Sequence, residues 1–364
     1  MLDLAAQHAP IREELRAAFD RVLDAQAFIM GPDVGAFEAE MSRYLGVNHA
    51  IACANGSDAL VLALQALDVG PGVDVLTTTF SFFATGGAIA RLGARPVFAD
   101  IDPRTFNLDL VDAERKLTGK TKVIMPVHLF GQMAPMGPVL EFARRHGLRV
   151  VEDAAQAVGS RENGAAAGTV GDAGTLSFFP SKNLGCLGDG GMVLTNDARV
   201  AERVRSLRLH GSGKVRYHHE EVGMNSRLDT LQAALLRVKL PHLARWTEGR
   251  QRVAAVYDRL FEGVPGIVAP LRLSGMHHIY NQYTVRVPRR DQLEAKLKAD
   301  KIGCAVYYPV PLHLQNCFAE LGGAPGQCPE AERAVGEVIS IPVYGELSDA
   351  QIERIAGVLR SHVA

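Results

Sequence analysis

Apolar residues stand at positions 11, 15, 18, 19, 22 and 23 with polar ones between them. That three-and-four spacing marks one face of a helix and predicts a helix over 11–27, ended by Gly31-Pro32. The same spacing predicts a second helix over 34–44 that stops at Gly46. From there the pattern alternates. Short apolar runs at 49–54, 73–79, 96–100, 122–127, 148–153 and 175–179 read as buried strands. Helical stretches fall between several of them, one running through Leu67, one to Leu92 and one over 136–146. Residues 190–195 read as an antiparallel edge strand, 200–207 as a helix, 210–226 as an irregular polar loop and 228–240 as a long helix ended by Pro241. At least five β/α alternations between residues 46 and 195 predict an α/β fold, a mostly parallel sheet with helices on both faces.

Beyond Pro241 the pattern changes. A helix carrying the only tryptophan, Trp246, runs to about residue 261, followed by an alternating strand at 283–287 and a helix over 291–300. A strand at 304–308, a helix over 331–338, a strand at 339–341 and a helix over 349–363 complete the chain. The expected division is a large domain over 1–240 and a smaller α+β domain over 241–364, with the N-terminal helix a candidate to pack on the smaller one.

Composition narrows the function classes. The 364 residues are 47% hydrophobic and 22% charged, a globular mix able to bury a large core. A formal net charge of −1 leaves no electrostatic footprint for nucleic acid or an anionic membrane. No apolar run reaches membrane-spanning length, and the N-terminus lacks the basic-then-apolar pattern of a signal peptide. Cysteines at 53, 186, 304, 317 and 328 are odd in number and scattered. They predict reduced thiols in the cytoplasm, and with no Cys-x-x-Cys pair they predict no metal centre.

The candidate chemistry sits where strands end. Lys182 follows the run Thr175–Phe179 at once, in the glycine-rich loop that continues to Gly191. A lysine forced into a dry pocket loses its proton readily and becomes a nucleophile; the plain alternative is a solvated loop residue. Asn55-Gly-Ser-Asp-Ala-Leu60 joins a strand to a helix, a place where free amides receive an anion. Equally, Ser57 or Asp58 is an ordinary helix cap. Phe82 can stack on a planar ligand or fill core. Asp153 can pair with a cationic ring nitrogen and Gln156 with a ring hydroxyl, or Asp153 caps its own turn. His210, His218 and His219 read as loop or substrate contacts, because no carboxylate lies at helical spacing with them. Strand ends on one edge of an open sheet converge. An anion cradle, a flat ring, a carboxylate and an amine match the phosphate, ring, pyridinium nitrogen and aldehyde of pyridoxal 5′-phosphate.

Five segments carry a resemblance to a known family. They are Asn55-Gly-Ser-Asp-Ala-Leu60, Val151-Glu-Asp-Ala-Ala-Gln156, Ser177-Phe-Phe-Pro-Ser-Lys182, Gly188-Asp-Gly-Gly191 and Gly223-Met-Asn-Ser-Arg-Leu-Asp-Thr-Leu-Gln232. The chain resembles, over essentially its whole length, the DegT/DnrJ-type nucleotide-sugar aminotransferases of pyridoxal-phosphate fold-type I. The resemblance implies a mostly parallel seven-stranded sheet in the large domain. It implies that Lys182 holds the cofactor covalently and later moves the proton, that Asp153 keeps the pyridine nitrogen protonated, that Gln156 bonds the ring hydroxyl and that Phe82 stacks on the ring. The Gly56 and Ser57 amides with Ser177 would take the phosphate. Asn225 would reach the phosphate of a neighbouring subunit, which makes the active unit a homodimer. Ser57 stands where the family usually has Thr.

A narrower likeness rests on Arg216-Tyr-His-His219, Gly223-Met-Asn-Ser-Arg227 and Gln282-Tyr-Thr-Val-Arg286. It points to enzymes that aminate carbon 3 of a UDP-linked 3-keto sugar, in particular UDP-2-acetamido-2-deoxy-3-oxo-glucuronate. Glutamate is the expected donor and a cell-surface polysaccharide the expected destination. His210, Arg227 and Tyr308 are the candidate sugar-nucleotide contacts, although Tyr307-Tyr308 stands where a His-Tyr pair is expected. The alternatives are another keto sugar, a sugar dehydratase built on the same scaffold, or a non-catalytic regulatory relative.

Overall fold

The computed structural model describes residues 1–364 except 214 and 216, so Arg216 of the narrower motif lies outside the described residues. Seven five-residue strands form the main sheet: β1 (His49–Cys53), β2 (Asp74–Thr78), β3 (Arg95–Ala99), β4 (Thr121–Met125), β5 (Arg149–Asp153), β6 (Ala173–Ser177) and β7 (Gly191–Thr195). Their order is β1-β7-β6-β5-β4-β2-β3. β2 to β6 pair in parallel, while β7 runs antiparallel to both neighbours. The strands are apolar almost throughout because helices cover both faces, which leaves no solvated side to alternate with. One apolar layer gathers Phe37, Met41, Ile124, Phe142 and Leu236, and the other gathers Leu60, Leu62, Val75, Val151 and Val204.

Four details differ from the pattern-based expectation. β7 is antiparallel as expected but is not an edge, since β1 closes over its outer side with Cys53 opposite Gly191. Residues 304–308 make no strand; Ala305 alone bridges Ser340, and the Tyr307–Tyr308 peptide bond is cis. Helix Leu110–Lys116, capped by Asp109, is too short to show a helical period. Helix Gly56–Ala66 is capped by Asn55, whose Oδ1 accepts the Asp58 amide at 2.8 Å, rather than by Ser57 or Asp58.

The C-terminal part builds its own apolar cluster. Antiparallel strands Tyr283–Arg286 and Val338–Ile341 pack with helices Leu243–Phe261, Arg290–Ala299 and Asp349–Val363 around Tyr257, Tyr283, Leu293, Ile339 and Ile355. Buried Arg250 ties this part together. Its guanidinium donates to the carbonyls of Tyr280, Asn281 and Val343. Helix Arg12–Ala25 does not settle mainly on the C-terminal part. Its apolar face (Ile11, Leu15, Ala18, Val22) packs on Ala234 and Leu235 of helix Thr230–Lys239, with Trp246 at one end.

One buried carboxylate fixes the sheet beside the site. Glu152 is fully buried, and its oxygens accept the amides of Val170 and Gly171 at 2.7 Å and Gly168 at 2.8 Å. His128 Nε2 donates to it at 2.8 Å, a tautomer set by the Ala134 amide, which donates to Nδ1. Glu152→Gln puts an amide NH₂ among these donors and strips two of them of an acceptor. A loss of about 2–4 kcal/mol is expected. The check is a lower urea midpoint at unchanged slope.

Candidate active site

The C-terminal ends of β1, β2, β5 and β6, with Val127 beyond β4, enclose a cavity of about 490 Å³. A larger cleft of about 830 Å³ lies against the small sheet, among Phe106, Leu271 and Arg286. The smaller cavity is the chemical one, because it holds the lysine and a buried carboxylate.

Its phosphate-sized end is built by backbone proximity. Gly191 stands between Cys53 and Ser177 in the sheet, and a Cβ there would lie 2.2 Å from the Asn55 carbonyl oxygen. A Cβ on Gly56 would lie 2.6 Å from the Ser177 Cβ. Glycine at both positions lets the first turn of helix Gly56–Ala66 press against the end of β6. The Asn55 cap takes the Asp58 amide, and helical geometry offers the Gly56 and Ser57 amides no acceptor of their own. These two amides and the Ser177 hydroxyl line the cavity at the positive end of the helix. Gly56→Ala should push Ser177 aside and weaken cofactor binding about tenfold or more, from overpacking of about 1–3 kcal/mol. Titration of the cofactor-free protein with pyridoxal phosphate measures this.

Asp153 ends β5 and is buried. Its Oδ2 accepts from Thr85 Oγ1 at 2.7 Å, and its Oδ1 from the Ala155 amide at 3.2 Å. A carboxylate accepts only, so Thr85 donates to it and in turn accepts from Ser81, 2.7 Å away. The local cap and the cavity-lining role therefore coexist. Burial pushes the Asp153 carboxyl above its ordinary range, against the Thr85 and Ala155 hydrogen bonds and the charge of Lys182. Lys182 lines the same cavity from the loop after β6. The residue is half-buried, and burial lowers its amine to about 8, with Asp153 opposing that shift. In the free cavity both groups are thus driven toward their neutral forms.

Gln156 is oriented from both ends of its amide. Oε1 accepts the Phe130 amide at 2.8 Å and Nε2 donates to Tyr308 Oη at 2.8 Å, which leaves one N–H for a ligand. Phe82 is 55% exposed, so it is not core. Its ring lies 6.0 Å from that of Tyr308 at the cavity wall.

Of the residues singled out in the sequence, the cavity gathers Gly56, Ser57, Phe82, Asp153, Gln156, Ser177, Lys182 and Tyr308. Asn225, His210 and Arg227 do not line it. They lie on a segment pinned beside the cradle, where Leu209 bridges Asn225 and the Ser226 hydroxyl accepts the Ala54 amide. Asn225 and His210 are exposed. Sequence reasoning passed over Ser81 and Thr85, and it used Gln282 as part of a motif without giving it a place in the site. The i, i+4 pair Ser81/Thr85 at a helix start was the available signal for the first two. Among the described residues no group of His, Cys, Asp and Glu side chains is placed to hold a metal ion, and no helix is long and apolar enough to cross a membrane.

A lysine of lowered basicity sharing a cavity with a buried carboxylate, beside an anion cradle, belongs to enzymes that hold a phosphorylated aldehyde cofactor. The chain belongs to the DegT/DnrJ/EryC1/StrS aminotransferase family, whose pattern matches residues 9–360. It is a sugar aminotransferase of that family, and the family's cofactor is pyridoxal 5′-phosphate. The chain is 52% identical to a pleiotropic regulatory protein of Geobacillus stearothermophilus, over 99% of this chain and 98% of that one. It is 45% identical to the UDP-N-acetyl-3-dehydro-alpha-D-glucosamine 3-aminotransferase of Acidithiobacillus ferrooxidans (99% and 96% covered). It is 42% identical to the UDP-2-acetamido-2-deoxy-3-oxo-D-glucuronate aminotransferase of Pseudomonas aeruginosa (98% of each). Among solved structures, S. venezuelae DesV in complex with a ketimine intermediate is similar at a TM-score of 0.96 and 40% identity, covering 99% of this chain and 97% of that one.

Proposed function

We propose that the chain aminates carbon 3 of a UDP-linked 2-acetamido-3-keto sugar, with glutamate as donor and the 3-oxo-glucuronate as first candidate. The observation that carries the reading is the single cavity holding Lys182, Asp153 and the Gly56–Ser57–Ser177 cradle. The residues fit pyridoxal phosphate: close approach at Gly56 shapes the phosphate end, and an exposed aromatic face at Phe82 borders the ring. When bound, that group supplies an electron-withdrawing ring able to accept the electron pair released at a substrate carbon. Lys182 Nζ then takes the proton from the α-carbon of the donor and, in the second half-reaction, delivers one to carbon 3 of the sugar. Asp153 holds a proton on the ring nitrogen, and the remaining Gln156 N–H binds the ring hydroxyl. Tyr308 and Gln282 border the sugar.

The two transaminase relatives differ in whether carbon 6 is a carboxylate, and both act on a UDP-linked 2-acetamido sugar carrying a ketone at carbon 3. The active unit is a homodimer in this reading, with Asn225, His210 and Arg227 serving the partner's cavity. Exposed Phe28, Ile29 and Leu187 support it: Ile29 bridges Asp229, the Thr230 amide donates to the Phe28 carbonyl and the Leu187 amide to Gln232, so these apolar residues lie about the start of helix Thr230–Lys239. Residues 1–240 serve as the cofactor domain and 241–364 as the smaller one. Five thiols free of disulfides and a nucleotide-sugar substrate support a cytoplasmic setting for this reading.

The test is the absorbance spectrum of the purified protein with pyridoxal phosphate, before and after glutamate, then turnover on both sugars. A yellow band that glutamate bleaches, followed by amination of one sugar, is the expected result. No band and no turnover would favour a regulatory role, the one named for the Geobacillus relative.

A further inference from the structure

Lys239 is a second buried lysine, and the reading above gives it no task. It is 2% exposed, at the last turn of helix Thr230–Lys239. Its Nζ donates to the Gly185 carbonyl at 2.7 Å, and among the described residues it forms no ion pair with a carboxylate. Burial lowers the amine to about 8, opposed by Cys186. An ammonium satisfied by a carbonyl alone costs stability, so apolar packing would serve the core better.

Gly185 belongs to the tight loop that carries Lys182. A Cβ on Gly185 would lie 2.4 Å from the Pro180 carbonyl oxygen, so the chain doubles back on itself here. Internally the loop is closed by Cys186 N to Phe178 O, Phe178 N to Gly190 O (2.7 Å each) and Lys182 N to Phe179 O (2.8 Å). The same helix makes a second contact. Gln232 Oε1 accepts the Leu187 amide at 2.8 Å, and its Nε2 lies 2.9 Å from where a Gly188 Cβ would be. Residues 232 and 239 are seven apart, two helical turns, and so share one face.

We infer that helix Thr230–Lys239 is a two-point clamp, with Lys239 on Gly185 and Gln232 on Leu187, that sets the position of the Lys182 loop. Lys239 and Gln232 are positioning residues, since neither lines the cavity. Lys182 must leave and regain one reacting position in each half-reaction, so the backbone beneath it has to hold still while the side chain moves. This use of the clamp rests on the proposed aminotransferase reading; the mechanical statement does not.

The experiment is hydrogen exchange of the cofactor-free protein, read by mass spectrometry on peptides covering 183–190 and 173–177, for Lys239→Met, Gln232→Met and Gln232→Glu. Borohydride trapping of pyridoxal phosphate on Lys182 is measured alongside. Exchange over 183–190 should rise about ten- to a hundredfold in Lys239→Met and about two- to tenfold in Gln232→Met, the scales of one hydrogen bond involving a charged and a neutral group. Strand 173–177 should stay protected, and trapping should slow about tenfold. Gln232→Glu keeps an acceptor for the Leu187 amide and should restore both. Equal loss of protection in the loop and the strand, or no change in either, overturns the clamp. Should Lys239→Met fail to fold, the Gln232 pair decides. A clamp seen by exchange in a protein that never traps pyridoxal phosphate would leave the mechanics standing and sink the aminotransferase reading.

Discussion

Lys182→Ala should fold, bind phosphate in its cradle and yet lose transamination by about 10²–10⁴-fold or more, the scale of a positioned general acid–base. Alanine removes the only lysine amine that lines the cavity among the described residues while leaving the loop's backbone bonds in place. The measurement is single-turnover amination with excess variant, beside a melting curve. Near-wild-type turnover would sink the assignment. The wild type also makes a pH prediction. Burial lowers this amine to about 8, so its neutral, nucleophilic fraction rises as pH rises through 8. An ordinary lysine would show that rise near 10.4. The rate at which cofactor-free protein captures pyridoxal phosphate should therefore climb between about pH 7 and 9 and then level. A climb that continues to pH 10 would mean a solvated lysine.

Asp153→Asn should cost about 10²–10³-fold in turnover, the scale of one preorganised charge aimed at the reacting system. The amide still offers an oxygen to Thr85, so the local bonding survives. Stability should move the other way. Burial raises the Asp153 carboxyl, so its ionised form is disfavoured in the cofactor-free fold. Relative to wild type, the neutral variant should gain in cofactor-free melting temperature as pH climbs from the ordinary carboxylate value to the raised one, and hold that gain above it, where the wild type must bear the charge. A variant that melts lower and keeps its turnover would mark Asp153 as a structural cap only. Parallel measurement of melting and turnover separates the two roles.

The apolar runs of the large domain made its α/β class legible, because a strand buried on both faces has no polar side to confuse the period. The reversal at β7 was legible too, but its place beside β1 was not. Pairing partners are chosen across about 140 residues, and β7 alone shows the same apolar run whether one neighbour or two cover it. The run at 304–308 misled for a related reason: it has strand composition, but only Ala305 finds a partner. In the site, Lys182, Asp153, Gln156 and the Asn55–Ser57 turn could be read because each follows a strand. Asn55 as the cap, and Thr85 as the donor that orients Asp153, could not be read, since local spacing does not say which oxygen a helix end or a carboxylate meets.

What the sequence determined by itself was the kind of fold and the inventory of reactive groups, because periodicity and residue type are local properties of the chain. Tertiary structure alone decided which of those groups share one cavity. It left Asn225, His210 and Arg227 outside the cavity of their own chain, and it brought Lys239 and Gln232 under the lysine loop. It also lowered Lys182 toward neutrality, because desolvation depends on what the rest of the fold packs around an amine.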